Sequence, residues 1–441
     1  MSRWYSIALI SVSLATAQGS TYSSTQGSIL TLKSALDFAQ KQSTDLSLAH
    51  SQKDLAQVDL DKQKSVWLPT LTAGTDLEDD KTFNRNQANE LTWAANLTLT
   101  EKLDRTTSAN IKSQQLTLRA SDHDLRATEE TTVATTLSNY LNALRDSMLV
   151  TVQVQNVTLQ EQKLVQLQAF EKLGTKAHSD VLQQSATLAQ AKVQLLNART
   201  QFSNSLADLF AGLGVEQPSS QVLLQALPAK TLQRLSTQDS TALQNKGAGD
   251  PSIAAQQARI EAAQASLEAT QLSYWPSLQF MAQLNHNDLL AQTPANALYT
   301  TPMLTEGLRV QAAVTFNILD QDSRNSQTLS NQIQIQTAQT KLKALQTSSA
   351  TLHTKALRAF TASQHKLAAT KDSKESADLV LADMQARFAL GVTAIIDLHT
   401  VELQQQQAAS DEIQAEFDLW NAYIDLCKTE HRLTDFTSEL D

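Results

Sequence analysis

The chain has 441 residues, a formal net charge of −10, ten glycines, seven prolines and one cysteine. An acidic balance with no basic face excludes a phosphate-backbone partner, so no nucleic acid is expected. Cys427 alone excludes an intrachain disulfide and reads as a small buried hydrophobe. Scarce Gly, Pro and aromatics beside abundant Gln, Ala, Leu, Ser and Thr favour long helices with polar faces over a loop-rich enzyme.

At the N-terminus, Arg3, an apolar run from Trp4 to Leu14 and Ala15-Thr16-Ala17 before Gln18 have the layout of a secretory signal peptide, residues 1–17. The alternative is a first helix of the mature fold. With Gln18 after the cleavage site, no cysteine stands there to receive a lipid. No other segment has the ~18 consecutive apolar residues of a membrane-spanning helix. Residues 18–30 are polar and aperiodic, and a flexible arm is expected.

Thr31 caps a predicted helix to about Val66, which Trp67-Leu68-Pro69 ends because Pro disfavours helix in the residue before it. Leu71, Ala73 and Leu77 then alternate with polar residues, a strand over about 69–78. A charged loop, 78–90, leads to Leu91, Trp93, Ala95, Leu97 and Leu99, a second strand over about 91–100. Neither Gly nor Pro interrupts 105–173, a long helix; Gly174 breaks it and another helix follows from His178 to about Leu209. Residues 211–249 hold Gly212, Gly214, Pro218, Pro228, Gly247 and Gly249, a linker or equatorial region with short peripheral elements.

Asp250-Pro251 opens the next helix, with Asp as N-cap and Pro in the first turn. It reaches Tyr274-Trp275-Pro276. A strand over about 276–285, a loop from about His286 to Glu306 and a strand over about 307–318 come next. The helix expected over 322–389 would be roughly 100 Å long at 1.5 Å per residue. After Gly391 a last helix runs from about Ile395 to Cys427, and 431–441 is a polar tail.

The order repeats. Trp67-Leu68-Pro69-Thr70-Leu71 matches Tyr274-Trp275-Pro276-Ser277-Leu278, and Leu103-Asp104 matches Leu319-Asp320. Lys172-Leu173-Gly174 matches Ala389-Leu390-Gly391, with Asp180 and Asp397 six residues beyond each Gly. Residues 31–210 and 250–430 are therefore two copies of a helix–strand–strand–long helix–helix unit.

Four amphipathic strands cannot close a barrel alone, and an open edge in lipid leaves backbone groups unsatisfied. Several chains must then share one barrel, apolar side to lipid and polar side to water, which makes the chain an α+β membrane protein. Trp67, Trp93 and Trp275 near strand ends suit an aromatic belt; packing between helix and strand is the alternative for each. The helical hairpins, repeated around an oligomer, would form a wall with a polar inside.

These junctions, strand pairs and Leu-Gly tips resemble the TolC family of outer-membrane efflux proteins over about residues 31–433. The resemblance implies a homotrimer with a twelve-stranded transmembrane β-barrel in the outer membrane, continued by a long periplasmic α-helical barrel. It also implies a passive exit duct that docks, through its tips, to a periplasmic adaptor (membrane fusion) protein of an inner-membrane pump. Carried over by position, Leu173, Gly174, Thr175, Leu390, Gly391 and Val392 would be the adaptor-facing turns. Asp397 and Asp180 would fall near a tip constriction, where three Asp397 carboxylates would attract cations; an acidic residue opposite the helix dipole is the other role for each. The sequence departs from the family at Thr400, where efflux members often carry a second acid, and at Phe388, where a Tyr hydroxyl could bond a carboxylate.

The eight histidines lack metal-ligand spacing, and no nucleophile elbow, phosphate loop or C-x-x-C is present. Asp372, Glu375 and Asp378 beside Lys371 and Lys374 read as a solvated helix face. No enzyme, cofactor or metal is expected. Two other functions remain open at this stage: a secreted or periplasmic coiled-coil scaffold or adhesin without a channel, and a type I secretion duct rather than a drug-efflux duct.

Overall fold

The computed structural model describes residues 29–80, 90–216, 222–227, 229–237, 249–292, 305–316, 318, 320, 322–390 and 392–433. The expected signal peptide, most of the arm, Gly391 and the tail beyond 433 lie outside these. In order come β1 (Ile29–Leu30), α1 (Leu32–Gln42), α2 (Thr44–Ser65), β2 (Thr70–Asp80), β3 (Glu90–Leu103), α3 (Thr106–Lys172) and α4 (His178–Leu213). They are followed by β4 (Leu223–Leu224), α5 (Ala229–Thr237), α6 (Pro251–Leu272), β5 (Ser277–Gln292), β6 (Thr305–Thr315), α7 (Ser323–Ala389) and α8 (Ile395–Thr429).

The strands outrun their alternating cores. Residues 78–80 and 286–292, expected in loops, belong to β2 and β5, because pairing across the sheet holds polar residues extended that propensity alone would release. β2, β3, β5 and β6 form one antiparallel sheet in that order. β6 in turn stops at Thr315, short of the expected 318.

The helix expected over 31–66 is two helices. Thr31 caps α1 with a reciprocal box to Ser34, and the chain breaks at Ser43, buried at φ −58°, ψ 129°. The break lies where the end of α4 abuts it: a Cβ on Gly214 would fall 2.3 Å from the Gln42 carbonyl oxygen.

The long helices α3 and α7 form a layer. α3 packs against α2 and α4 on one side and against α6 and α8 on the other, while α7 packs against α6 and α8. One border of the layer is therefore α2 with α4, and the other is α7. The core sits at mid-height, where Leu137, Tyr140, Leu141, Leu209, Phe360, Leu419 and Leu426 are enclosed. Part of the expected arm is ordered into this region: β1 pairs in parallel with β4. Buried Tyr140 holds that pair to α3, its hydroxyl 3.0 Å from the Leu30 carbonyl and 2.8 Å from that of Gln225. Burial pushes this phenol up to about 12.

The expected tail also begins inside the fold. Leu433 is buried, and His431 occupies the left-handed region at φ 55° just past α8. The Arg432 N–H bonds the Cys427 carbonyl and the His431 N–H that of Lys428, a Schellman end. A histidine held where glycine is cheaper uses its ring: Nδ1 lies 2.6 Å from Glu130 and Nε2 3.8 Å from Asp250, the N-cap of α6. The Glu130 hydrogen bond and the two acidic charges outweigh burial and raise the imidazole above its ordinary value. A raised folded value contributes stability that is full below the unfolded value, about 6.5, and lost as pH rises through the folded one. The melting temperature of the wild type should therefore fall across that window more than that of His431→Gln; parallel profiles would contradict the clamp.

Candidate functional site

Sheet register sorts side chains into rows. Leu71, Leu99, Ala282 and Val310 stand abreast on one face, as do Ala73, Leu97, Leu284 and Leu308. The other face carries Thr70, Thr100, Met281 and Gln311, then Thr72, Thr98, Gln283 and Arg309. The apolar row residues Leu71, Leu308 and Val310 are exposed. On this face the wholly apolar rows are flanked by Glu101, beside Phe280 and Ala312, and by the mixed row of Thr75, Ala95, His286 and Glu306, so the largely apolar stretch from Leu103 to Leu97 measures about 20 Å along the strand. Trp67 and Trp275 lie exposed at the helix end of the sheet; half-buried Trp93 stands near the other end, its ring 5.7 Å from His286 in an edge-on contact. The outer strands β2 and β6 each leave one edge without a partner strand among the described residues.

At the far end of the helices, the turns after α3 and α7 are each closed by a hydrogen bond spanning six residues. The Thr175 N–H bonds the Phe170 carbonyl at 3.0 Å and the Gly174 N–H that of Glu171 at 2.8 Å, with Gly174 at φ 73°. What the second turn shares among the described residues is the outer closing bond, from the Val392 N–H to the Arg387 carbonyl at 3.1 Å. Leu173, Leu390 and Val392 point outward, each about three-quarters exposed. The two turns meet: the Lys176 ammonium covers the Phe388 ring at 4.8 Å, a contact that needs no Tyr hydroxyl. His178 Nδ1 lies 2.6 Å from Glu171 Oε1 across the first turn.

Asp180 and Asp397 hold the same place, the third residue of α4 and α8, where the helix dipole favours an acid. Asp397 is exposed and Asp180 half-buried. Thr400 bonds the Ile396 carbonyl one turn back at 2.9 Å, so it is bound to its own helix within the chain.

One cluster escapes sequence reasoning. About 15 Å above the Leu173 turn, by helical rise, α3, α4 and α8 enclose Lys163, Glu402 and His399. Lys163 and Glu402 form an ion pair, with Glu402 only 6% exposed. Gln160 Nε2 donates to Glu402 Oε2 at 3.4 Å, and Gln184 Nε2 donates to Gln160 at 3.0 and 2.8 Å. Burial pushes the Lys163 ammonium down to about 8, and burial with the Lys163 charge pushes His399 down. In the sequence these residues sit in Gln- and Lys-rich helical stretches indistinguishable from a solvated face.

No group of three or more His, Cys, Asp or Glu among the described residues is arranged to hold a metal ion. None of the described helices is long and apolar enough to cross a membrane.

A family model described as outer membrane efflux protein matches residues 35–215 and 242–429. The chain belongs to that family. This outer membrane efflux protein is thus a channel component of the outer membrane with a large periplasmic helical part, in a family of export ducts rather than enzymes. No curated protein matches its sequence. Its fold is similar to the Campylobacter jejuni CmeC outer membrane channel, at 15% identity and TM-score 0.76, over 92% of this chain and 88% of CmeC. The Vibrio cholerae outer membrane protein VceC matches at 14% identity and 0.71, over 91% and 95%. The open state of the Neisseria gonorrhoeae MtrE outer membrane channel matches at 15% and 0.73, over 90% and 88%. At such identities the likeness is one of fold.

Proposed function

We propose that three copies of this efflux protein close a twelve-stranded barrel continued by a ring of helical hairpins, forming a passive exit duct. The observation that carries this reading is a sheet with two apolar rows running across all four strands and, among the described residues, two edges without a partner strand. An even number of antiparallel strands lets β6 of one copy meet β2 of the next with antiparallel sense, so identical joints close a ring. The helix layer has the same asymmetry. Exposed Leu55 and Val58 on α2 and Leu196 on α4 lie at one border, and Leu329, Ile333 and Leu379 on α7 at the other. A head-to-tail joint covers both borders at once.

In this reading the Leu173 and Leu390 turns dock a periplasmic adaptor that couples the duct to an inner-membrane pump. Asp397, and with it Asp180, would stand near the tip constriction. Expected results are a cross-linked trimer in intact cells and discrete conductance steps in planar bilayers. A water-soluble monomer in the periplasm would instead favour a scaffold. Substituting Leu173→Asp with Leu390→Asp should cut adaptor co-purification at least about tenfold while the trimer persists, since exposed apolar anchors concentrate binding energy. Loss of the trimer itself would contradict the assignment of the tips.

A further inference from the structure

Two arginines lie on aromatic faces where the sheet runs into the helices. The Arg105 guanidinium, just after β3, stands 4.1 Å over the Trp275 ring, and that of Arg324, in the first turn of α7, 4.3 Å over Tyr274. The apolar row of Leu103, Leu278 and Val314 borders this end of the sheet, so both pairs stand at its apolar margin. Their charges are used differently. Arg324 is bound at home, Nε 2.5 Å from Asp320 and its backbone N–H 3.1 Å from the same carboxylate. Arg105 is exposed and makes no ion pair among the described residues. The adjacent Asp104 carboxylate is engaged by the Thr106 N–H at 2.9 Å and by Lys102 at 3.5 Å.

We propose that Arg105, on its Trp275 shelf, binds the phosphate of a phospholipid in the periplasmic leaflet of the outer membrane. The proposal rests on the barrel reading, which puts the helix end of the sheet at that leaflet. The indole covers one face of the guanidinium and leaves the N–H edges open, a planar fork that matches two phosphate oxygens. A cation at the margin of an apolar band, with an exposed aromatic beside it, meets headgroups where acyl chains end. Arg324 differs because its guanidinium Nε is already held by the Asp320 carboxylate. The second aromatic–arginine pair is therefore a built-in control.

The test uses the full-length protein in nanodiscs of phosphatidylethanolamine and phosphatidylglycerol, with retained lipids counted by native mass spectrometry after release. Wild type and Arg324→Gln should keep phospholipid. Arg105→Gln should lose it about tenfold, and Arg105→Lys should fall between, having charge without the fork. Unchanged retention in Arg105→Gln overturns the site, as does an equal loss in Arg324→Gln, which would mean general loosening of the rim. Failure of the wild type to insert into the bilayer would sink the barrel reading and this site together, whereas normal insertion with unchanged retention sinks the site alone.

Discussion

Gly214→Ala should destabilise the protein by roughly 3 kcal/mol per copy, more than the same change at any other described glycine. Two costs combine. Gly214 ends α4 at φ 70°, where its N–H bonds the Ala211 carbonyl and the Val215 N–H that of Phe210. An L-residue there costs about 1–2 kcal/mol. The added Cβ would also sit 2.3 Å from the Gln42 carbonyl oxygen, and backbone cannot swing aside as a side-chain tip can. The α1–α2 break would have to move, and with it buried Ala39 and Leu36. Gly174 supplies the comparison. Its φ is 73°, but nothing lies within 4 Å of its would-be Cβ, so Gly174→Ala should cost only the conformational part. Thermal unfolding of both variants by circular dichroism checks this; equal losses would mean that the close approach carries no weight.

The architecture was legible wherever local chemistry and long-range structure agree. Alternation in residues 91–100 and 307–315, the prolines 69 and 276 and the uninterrupted runs to Leu173 and Leu390 each encode their element within a few residues. What escaped depends on partners distant in the chain. Ser43 sits in an unbroken helical pattern, and only the abutting end of α4 explains the break. β1 and β4 are two residues each, and what holds them is a tyrosine hydroxyl from α3. Asp79 and Asp80 look like loop, yet pair with Leu91 and Glu90. The turn at Leu173 and Gly174 was legible as a turn because Leu-Gly after a long helix has a local meaning. Phe388 could not be assigned its Lys176 cover, since the pair is brought together by two hairpins packing side by side.

The Lys163–Glu402 pair, equally hidden in the sequence, should be the most sensitive charged position in the periplasmic part. Glu402→Gln keeps the volume but leaves the Lys163 ammonium enclosed without a countercharge, a change that typically costs 3–5 kcal/mol. No neighbour can substitute: His399 is basic, Gln160 and Gln184 are neutral, and all three are buried with it. The sign of the pH effect follows. With Lys163 held below its unfolded value, the folded state is penalised while the amine is protonated, and deprotonation relieves the penalty. Glu402→Gln should therefore lose more stability at pH 6 than at pH 9. Replacing both partners, Lys163→Met with Glu402→Leu, should recover most of the loss, because the desolvation of two charges disappears with their attraction. The cluster joins α3 and α4 of one hairpin to α8 of the other just above the turns. The single variant should also become more open to proteolysis at 173–178 and 390–395, and the double variant should not. If the double variant is as unstable as the single one, the pair is held by packing rather than by charge, and the electrostatic account of this layer fails.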